Sequence, residues 1–178
     1  MLKERGVMGK KIFLSLVHLC VMVFCIGSSV RAEEVYTARP SVNGRLHVEG
    51  NGLADASGQM VQLRGVSTHG LTWYPDYVNE NLFRQVSEVW NCNMIRLAMY
   101  ASIYCDEDRE TSYSQMKKGI EAAIKADTYV LVDWHMLEKG NPNEQVNEAK
   151  EFFDRITSEY RDCPNLIFEI CNEPNGPA

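Results

Sequence analysis

The chain has 178 residues, 45% of them hydrophobic, and a formal net charge of −6. Residues 1–32 hold five of its 18 basic residues and one of its 24 acidic residues, so the remaining 146 residues carry a net charge of −10. This acidity gives the protein no electrostatic reason to bind nucleic acid or anionic lipid, and it is compatible with a neutral polysaccharide.

The N-terminal segment has the pattern of a secretory signal peptide. Three lysines and one arginine within the first 11 residues precede an apolar stretch over 12–26, and the small residues Val30 and Ala32 follow at the spacing of a cleavage site. The stretch is shorter than the roughly 20 apolar residues of a membrane-spanning helix. We therefore predict a signal peptide over 1–32, cleavage near Ala32, a secreted extracellular protein and no membrane association after cleavage.

Four of the six cysteines lie beyond this segment, at Cys92, Cys105, Cys163 and Cys171. Disulfides persist outside the cell, and four cysteines allow three pairings, although a buried reduced thiol is an equal alternative for Cys92 and Cys171. No C-x-x-C motif or His/Cys cluster with metal-ligand spacing occurs in the sequence. We expect neither a metal site nor an organic cofactor.

The next segments are predicted to be a linker and a hairpin. Residues 33–43 are polar without periodicity, which indicates a linker before one folded unit over 44–178. Between Leu46 and Leu63 apolar and polar residues roughly alternate on both sides of the turn sequence over 55–58. This pattern predicts an N-terminal β-hairpin.

Four short apolar runs then recur, starting near Gln62, Met94, Tyr129 and Leu166. The connections between them have helical patterns, with Val89 and Trp90 on the first helix, Ser112 as a possible N-cap of the second and Phe153 on the third. Strand, helix and strand in this rhythm indicate a parallel sheet.

A doubly wound sheet and a (β/α)8 barrel share that rhythm. The first strand exit has no G-x-G-x-x-G fingerprint, and polar or aromatic residues follow every strand, as at the carboxyl face of a barrel. Four strands about 35 residues apart make half of a barrel of roughly 250 residues. The sequence therefore predicts an α/β fold that carries about the first four strands of a TIM barrel.

Glu173 is the first candidate for a catalytic residue, because it follows a buried strand directly and Pro174 fixes the exit of the chain. A carboxylic acid there can protonate the leaving oxygen of a glycosidic bond, and the amide of Asn172 can bond a sugar hydroxyl. The alternatives are a surface-loop glutamate and a turn asparagine.

Charged residues inside the other strands need partners. Arg96 lies in an apolar strand and requires a carboxylate, for which Glu169 is a candidate. His135 is a candidate proton or hydrogen-bond donor near the reacting centre, and Asp133 is expected to orient a neighbour such as this histidine. A lone histidine is more often structural than catalytic.

Aromatic residues and a histidine occupy the loops on the same predicted face. His69 closely follows the first strand, and Trp73 and Tyr100 offer aromatic faces that suit pyranose rings. We favour sugar stacking for Trp73 and Tyr100, and packing for Tyr104.

Together these residues resemble a known family. The segments LRGVSTHGL (63–71), MIRLAMY (94–100), VDWH (132–135) and FEICNEPNG (168–176) are similar to the first four strands of a secreted glycoside hydrolase family 5 endoglucanase, a cellulase. The likeness covers residues from about 44 to 178.

The resemblance implies a (β/α)8 barrel that hydrolyses internal β-1,4-glucosidic bonds with retention, without a cofactor, as a monomer when full length. It implies these roles: Glu173 as general acid/base, Asn172 and His135 as its catalytic neighbours, Arg96 as support for the nucleophile, and His69, Trp73 and Tyr100 in the substrate cleft. The family's nucleophilic glutamate comes from a late strand, and nothing in this sequence matches it. The 178 residues alone are therefore expected to be inactive.

Two alternatives stay open at this stage. The chain could be a truncated, non-catalytic product that binds glucan or does not fold. It could also belong to the same enzyme class and act on mannan or xyloglucan.

Overall fold

The computed structural model of this chain describes residues 37–137 and 140–175. The predicted signal peptide over 1–32 and residues 33–36 of the predicted linker lie outside these ranges. Within the described part, no helix is both long enough and apolar enough to span a membrane.

A small antiparallel sheet opens the described chain. It follows a one-turn helix and has three strands in the order β1, β2, β3: α1 (Pro40–Asn43), β1 (His47–Glu49), β2 (Gly52–Ala54) and β3 (Met60–Val61). The turn over 55–58 joins β2 to β3, which confirms the predicted hairpin. Asp55 Oδ1 accepts hydrogen bonds from the Ser57 hydroxyl at 2.7 Å and from the backbone N–H groups of Ser57 and Gln59. The Ser57 hydroxyl is the largest contributor to a pKa of Asp55 lowered to about 2.

The end of the predicted linker is packed onto the rest of the chain. The Arg39 guanidinium donates to the backbone carbonyls of Ser87 and Cys92 at 3.1 and 3.0 Å. Ala38 and Pro40, on either side, are buried. A polar composition without periodicity indicated a linker, but one arginine that bonds several carbonyls holds residues 37–43 in place.

The main sheet has four parallel strands in chain order: β4 (Gly65–Ser67), β5 (Met94–Tyr100), β6 (Tyr129–His135) and β7 (Leu166–Glu169). Three strands begin where the sequence places them. The first begins at Gly65 rather than near Gln62, because Met60 and Val61 pair with β2 and Arg64 donates its backbone N–H to the Asn93 side chain at 2.7 Å.

Helices connect the parallel strands: α2 (Glu80–Glu88), α3 (Ala101–Asp106), α4 (Arg109–Lys125) and α5 (Val146–Glu159). The short helix α3 was not predicted. Helix α4 begins before the predicted N-cap Ser112, because Asp108 accepts the backbone N–H of Thr111 at 3.0 Å and caps the helix. Ser112 is buried inside its first turn.

Two details of the predicted helix faces differ from the structure. Helix α2 ends at Glu88, so Val89 and Trp90 lie beyond it and are 73% and 68% exposed. In α5 the fully buried aromatic residue is Phe152, and Phe153 is only half-buried.

The core lies between the parallel sheet and these helices. Fully buried members include Leu97 and Val132 from the strands and Met116, Ile120 and Ile156 from the helices. Helix α4 approaches β5 closely at Gly119, where a Cβ atom would lie 2.8 Å from a methyl carbon of Leu97. This packing fixes the strands and thereby places their carboxyl ends at one edge of the sheet.

Candidate active site

The carboxyl ends of β4 to β7 bring the predicted site residues together. Tyr100 and His135 are register partners at the ends of β5 and β6, and their ring centroids are 4.4 Å apart. His69 lies two residues after β4, with its ring 5.7 Å from that of Tyr100. The sequence placed these residues on one face because parallel strands end at the same edge, and the structure confirms this.

Arg96 and Glu169 form a bidentate ion pair between β5 and β7. Arg96 donates from Nε to Glu169 Oε2 at 2.7 Å and from Nη2 to Oε1 at 2.9 Å. The hydrogen bonds to Glu169 are the largest cause of the raised pKa of Arg96. The expected pairing is confirmed, and it offsets the cost of a charge inside the sheet.

Asp133 is fully buried beside this pair. Its Oδ2 atom lies 2.8 Å from Arg96 Nη2 and 2.7 Å from His135 Nδ1, so it orients His135 as the sequence suggested. Burial raises the pKa of Asp133 to about 7, with Arg96 acting in the opposite direction. Burial also lowers the pKa of His135, and the positive charge of Arg96 adds to that effect.

The side chain of Asn172 contacts both Arg96 and His135. Its Oδ1 accepts from Arg96 Nη2 at 3.0 Å, while its Nδ2 faces His135 Nε2 at 3.4 Å and donates to the Met136 carbonyl at 3.3 Å. We call Arg96, Asp133, His135 and Asn172 the strand-end network. His135 thus faces a carboxylate at Nδ1 and an amide NH₂ group at Nε2, and its role as a donor toward the reacting centre stays a prediction.

The other half of the edge is aromatic. The rings of Trp73 and Tyr100 have centroids 4.7 Å apart, and His69 packs against Trp73 at 5.2 Å. Trp73 is 46% exposed and presents a free face, whereas Tyr100 is 6% exposed. Tyr100 therefore packs beneath Trp73 and His69, and with its ring buried it is not the sugar-stacking surface that the sequence predicted. At Gly70 a Cβ atom would lie 2.8 Å from the Tyr100 ring, so only glycine permits this approach.

Glu173 follows the network in an exposed loop and has a left-handed backbone with φ of 39°. Backbone hydrogen bonds hold the loop at both ends. The N–H of Asn172 donates to the Trp134 carbonyl at 3.0 Å, and the N–H of Asn175 donates to the Gly140 carbonyl at 2.9 Å. A Cβ atom at residue 140 would lie 2.4 Å from Asn175 Oδ1. The sequence analysis missed this glycine contact, for which an isolated glycine in a loop is a weak signal.

Within residues 37–137 and 140–175, the carboxylates on the ends of the parallel strands other than Glu173 are Asp133 and Glu169. Both are held by Arg96. The same described residues contain no cluster of three or more side chains suited to a metal ion, and their four cysteines are all unpaired.

A model of the cellulase family, glycosyl hydrolase family 5, matches residues 54–178. This chain belongs to glycoside hydrolase family 5. Among curated relatives of this family 5 chain, Endoglucanase A of Butyrivibrio fibrisolvens is 45% identical over 139 residues, which are 75% of this chain and 32% of the relative. An endoglucanase of Clostridium saccharobutylicum is 38% identical over 94% of this chain and 37% of its own length. The chain thus spans about a third of the length of these relatives.

Solved structures agree with the family. The catalytic domain of a Thermobifida fusca endoglucanase superposes with a TM-score of 0.74 at 34% identity, over 79% of this chain and 47% of that domain. A second structure of that domain contains cellotetraose. A thermostable family 5 cellulase from an Icelandic hot spring isolate superposes with a TM-score of 0.73 at 42% identity, over 79% of this chain and 44% of that cellulase. The four parallel strands of this family 5 chain are therefore part of a (β/α)8 barrel.

Proposed function

We propose that this chain supplies the acid/base side of a secreted, retaining endo-β-1,4-glucanase, whose nucleophile is not among these 178 residues. Glu173 protonates the glycosidic oxygen as the bond to the anomeric carbon breaks, while a carboxylate from a later strand forms the glycosyl ester. Glu173 then removes a proton from the water that hydrolyses this ester. The reaction needs no cofactor.

The placement of Asn172 and Glu173 carries this proposal. The strand-end network orients the amide of Asn172, and the next residue is the exposed Glu173, whose charge acts on His135 in the same network. A bound sugar there meets an amide that can bond its hydroxyl and an acid that can reach the leaving oxygen. A solvated surface glutamate has no such neighbours.

Arg96 is proposed to support the missing nucleophile. Its Nε and Nη2 atoms bond the carboxylates of Glu169 and Asp133 and the amide of Asn172. Its Nη1 has, among the described contacts, only an approach of 3.3 Å to the Ser67 hydroxyl. Its second N–H group can thus donate to a carboxylate that enters from a later strand.

The proposed substrate is a β-1,4-glucan. Trp73 packs against Tyr100 and His69 and is still 46% exposed, so its ring offers a surface for an apolar pyranose face. The relatives are named endoglucanases and cellulases, and one solved structure holds cellotetraose. Mannan and xyloglucan are the alternative substrates, and relative rates on the three polymers distinguish them.

The sharpest test uses what we call the completed barrel, in which residues 37–178 are joined to the part of the Butyrivibrio relative that follows its match to this chain. Glu173→Gln should lower turnover of cellulosic substrate by about 10²- to 10⁴-fold, since general acid catalysis is lost. Aryl cellobiosides, whose leaving group needs little protonation, should keep part of their turnover.

Glu88→Gln is the matched control for this test, because Glu88 is an exposed glutamate at the C-terminal end of α2. It should leave both activities unchanged. A loss of only a few-fold for Glu173→Gln on cellulosic substrate would contradict the assignment.

The 178-residue chain alone is proposed to be inactive, because Asp133 and Glu169, the described strand-end carboxylates other than Glu173, are both bound to Arg96. Purified residues 33–178 should match a blank on carboxymethylcellulose. Turnover that disappears in Glu173→Ala would reveal a nucleophile in this chain. Glucan binding without turnover is the outcome that the non-catalytic alternative also predicts, and only an active completed barrel separates the two.

Secretion and a monomeric full-length enzyme are also part of the proposal. Mass spectrometry of the exported protein should find an N-terminus near residue 33. An intact segment from Met1 to Ala32 would contradict it.

A further inference from the structure

Asp133 is a buried carboxylate that the proposed mechanism does not use. Its side chain has no exposed surface, and Oδ2 alone receives both the Arg96 guanidinium and the His135 ring. Its other oxygen, Oδ1, has no hydrogen-bond partner among the described residues. Burying a carboxylate is costly unless hydrogen bonds or ion pairs compensate it, and here both compensating contacts fall on one oxygen.

The geometry decides which nitrogen of His135 carries the proton. With the proton on Nδ1, the ring donates to Asp133 Oδ2 at 2.7 Å, and the lone pair of Nε2 faces the amide N–H of Asn172 at 3.4 Å. With the proton on Nε2, a lone pair would face the carboxylate and an N–H would face an N–H. Both contacts would be repulsive, so Asp133 selects the first tautomer.

The same arrangement fixes the amide of Asn172. Arg96 donates to its Oδ1, while the acceptor on His135 and the carbonyl of Met136 both face its Nδ2. An amide rotated by 180° would lose all three contacts. Two of these three contacts with Asn172, one residue before Glu173, come from groups that Asp133 binds. Glu169 also holds Arg96, so His135 is the contact that depends on Asp133 most directly.

We propose that Asp133 is a positioning residue that holds His135 in the Nδ1–H tautomer and thereby orients the amide of Asn172 beside the catalytic acid. This inference rests on the proposed role of Glu173. It deepens that role, because it identifies the group that keeps the neighbouring amide directed toward substrate.

The test compares two substitutions in the completed barrel. Asp133→Asn keeps an oxygen where Oδ2 lies, so it still accepts from Arg96 and His135, and its NH₂ group takes the place of the unpartnered oxygen. Asp133→Ala removes the acceptor. Long-range ¹⁵N spectra of histidine-labelled protein report which ring nitrogen is protonated, and the signals of His135 are assigned by their loss in His135→Gln.

His69 provides an internal reference, because its contacts favour the opposite tautomer. Its Nδ1 accepts the backbone N–H of Gly70 at 2.8 Å, which places the proton on Nε2. Wild type and Asp133→Asn should both show Nδ1–H for His135 and Nε2–H for His69. In Asp133→Ala the His135 signals should move to the Nε2–H or a mixed pattern, while those of His69 stay unchanged.

Turnover should follow the tautomer. Asp133→Ala should lower kcat by about 10- to 100-fold, as expected for the loss of one hydrogen bond to a charged group, with KM changed less than about threefold. Asp133→Asn should recover most of this loss. The proposal fails if Asp133→Ala keeps the Nδ1–H pattern and its kcat stays within twofold of wild type, or if Asp133→Asn loses as much turnover as Asp133→Ala with its tautomer unchanged.

The two proposals fail separately. If Glu173→Gln has no effect while Asp133→Ala still changes the tautomer, the assignment of the acid is wrong and the role of Asp133 in the network stands. If Glu173→Gln behaves as expected but Asp133→Ala leaves the His135 tautomer unchanged, the assignment of Glu173 stands and the role proposed for Asp133 is wrong.

Discussion

The two halves of the strand edge use the same residue type in opposite ways. His135 lies in a polar network with its side chain 13% exposed, and its Nδ1 donates to a carboxylate. His69 is exposed among aromatic rings, and its Nδ1 accepts from a backbone N–H. One ring therefore offers an acceptor and the other a donor at Nε2. The chemistry of a histidine at a strand exit is set by the group that meets Nδ1, and here that group lies one or two residues away in the chain.

The halves also differ in how firmly they are held. Each member of the strand-end network contacts at least two others at 3.4 Å or less. The aromatic half is joined by ring contacts with centroids between 4.7 and 5.7 Å apart. Substitutions in the network should therefore have large effects on folding, and those in the aromatic half smaller effects on binding.

The largest expected effect comes from Arg96→Met in the completed barrel. The substitution leaves Asp133 and Glu169 without their cation, so the free energy of unfolding should fall by about 3 kcal/mol, as for other broken buried ion pairs. Chemical denaturation measures it. Arg84→Met, which breaks an exposed pair on α2, is the control and should stay within about 0.5 kcal/mol of wild type. Equal losses of unfolding free energy in the two variants would mean that the ion pairs of Arg96 stabilise the protein no more than an exposed ion pair does.

The pH dependence of stability should be the next largest effect. Burial raises the pKa of Asp133 from 3.8 in the unfolded chain to about 7 in the folded protein, so the folded state binds the proton more tightly. The contribution of Asp133 is then fully present below about pH 4 and is lost as the pH rises through 7. His135 acts oppositely, because its lowered pKa makes stability rise with pH up to its unfolded value of 6.5.

Comparison with Asp133→Asn isolates the first contribution. The difference in unfolding free energy between wild type and Asp133→Asn should change by about 2 kcal/mol or more between pH 4 and pH 7, in the direction of a less stable wild type at the higher pH. Denaturation curves at a series of pH values measure this difference. A flat difference would show that Arg96 keeps Asp133 ionised throughout.

The smallest expected effect lies in the aromatic half. Trp73→Ala should weaken the binding of cello-oligosaccharides by about 3- to 10-fold, the size of one aromatic stacking contact. Calorimetric titration measures it. Trp90→Ala is the matched control, because Trp90 is exposed beyond the C-terminal end of α2. Its substitution should not affect binding. Equal losses in both variants would remove Trp73 from the cleft.

The sequence by itself determined the order of the parallel strands, the partner of Arg96 and the location of Asn172 and Glu173 at a strand exit. These features follow from local patterns. Apolar runs at regular intervals predict parallel strands, and a charge inside such a run requires an opposite charge nearby. The family resemblance added roles for single residues, which the composition and spacing did not contain.

The tertiary structure alone decided how these groups share their hydrogen bonds. One nitrogen of Arg96 serves Glu169, Asp133 and Asn172 together, and the Nε2 atom of His135 meets the amide of Asn172, which follows the neighbouring strand. The bonds from Arg39 to the carbonyls of Ser87 and Cys92, and the contact of Gly140 with Asn175, also join residues that are far apart in the sequence. No local pattern encodes such contacts, because each one arises only when distant parts of the chain meet at distances of a few ångströms.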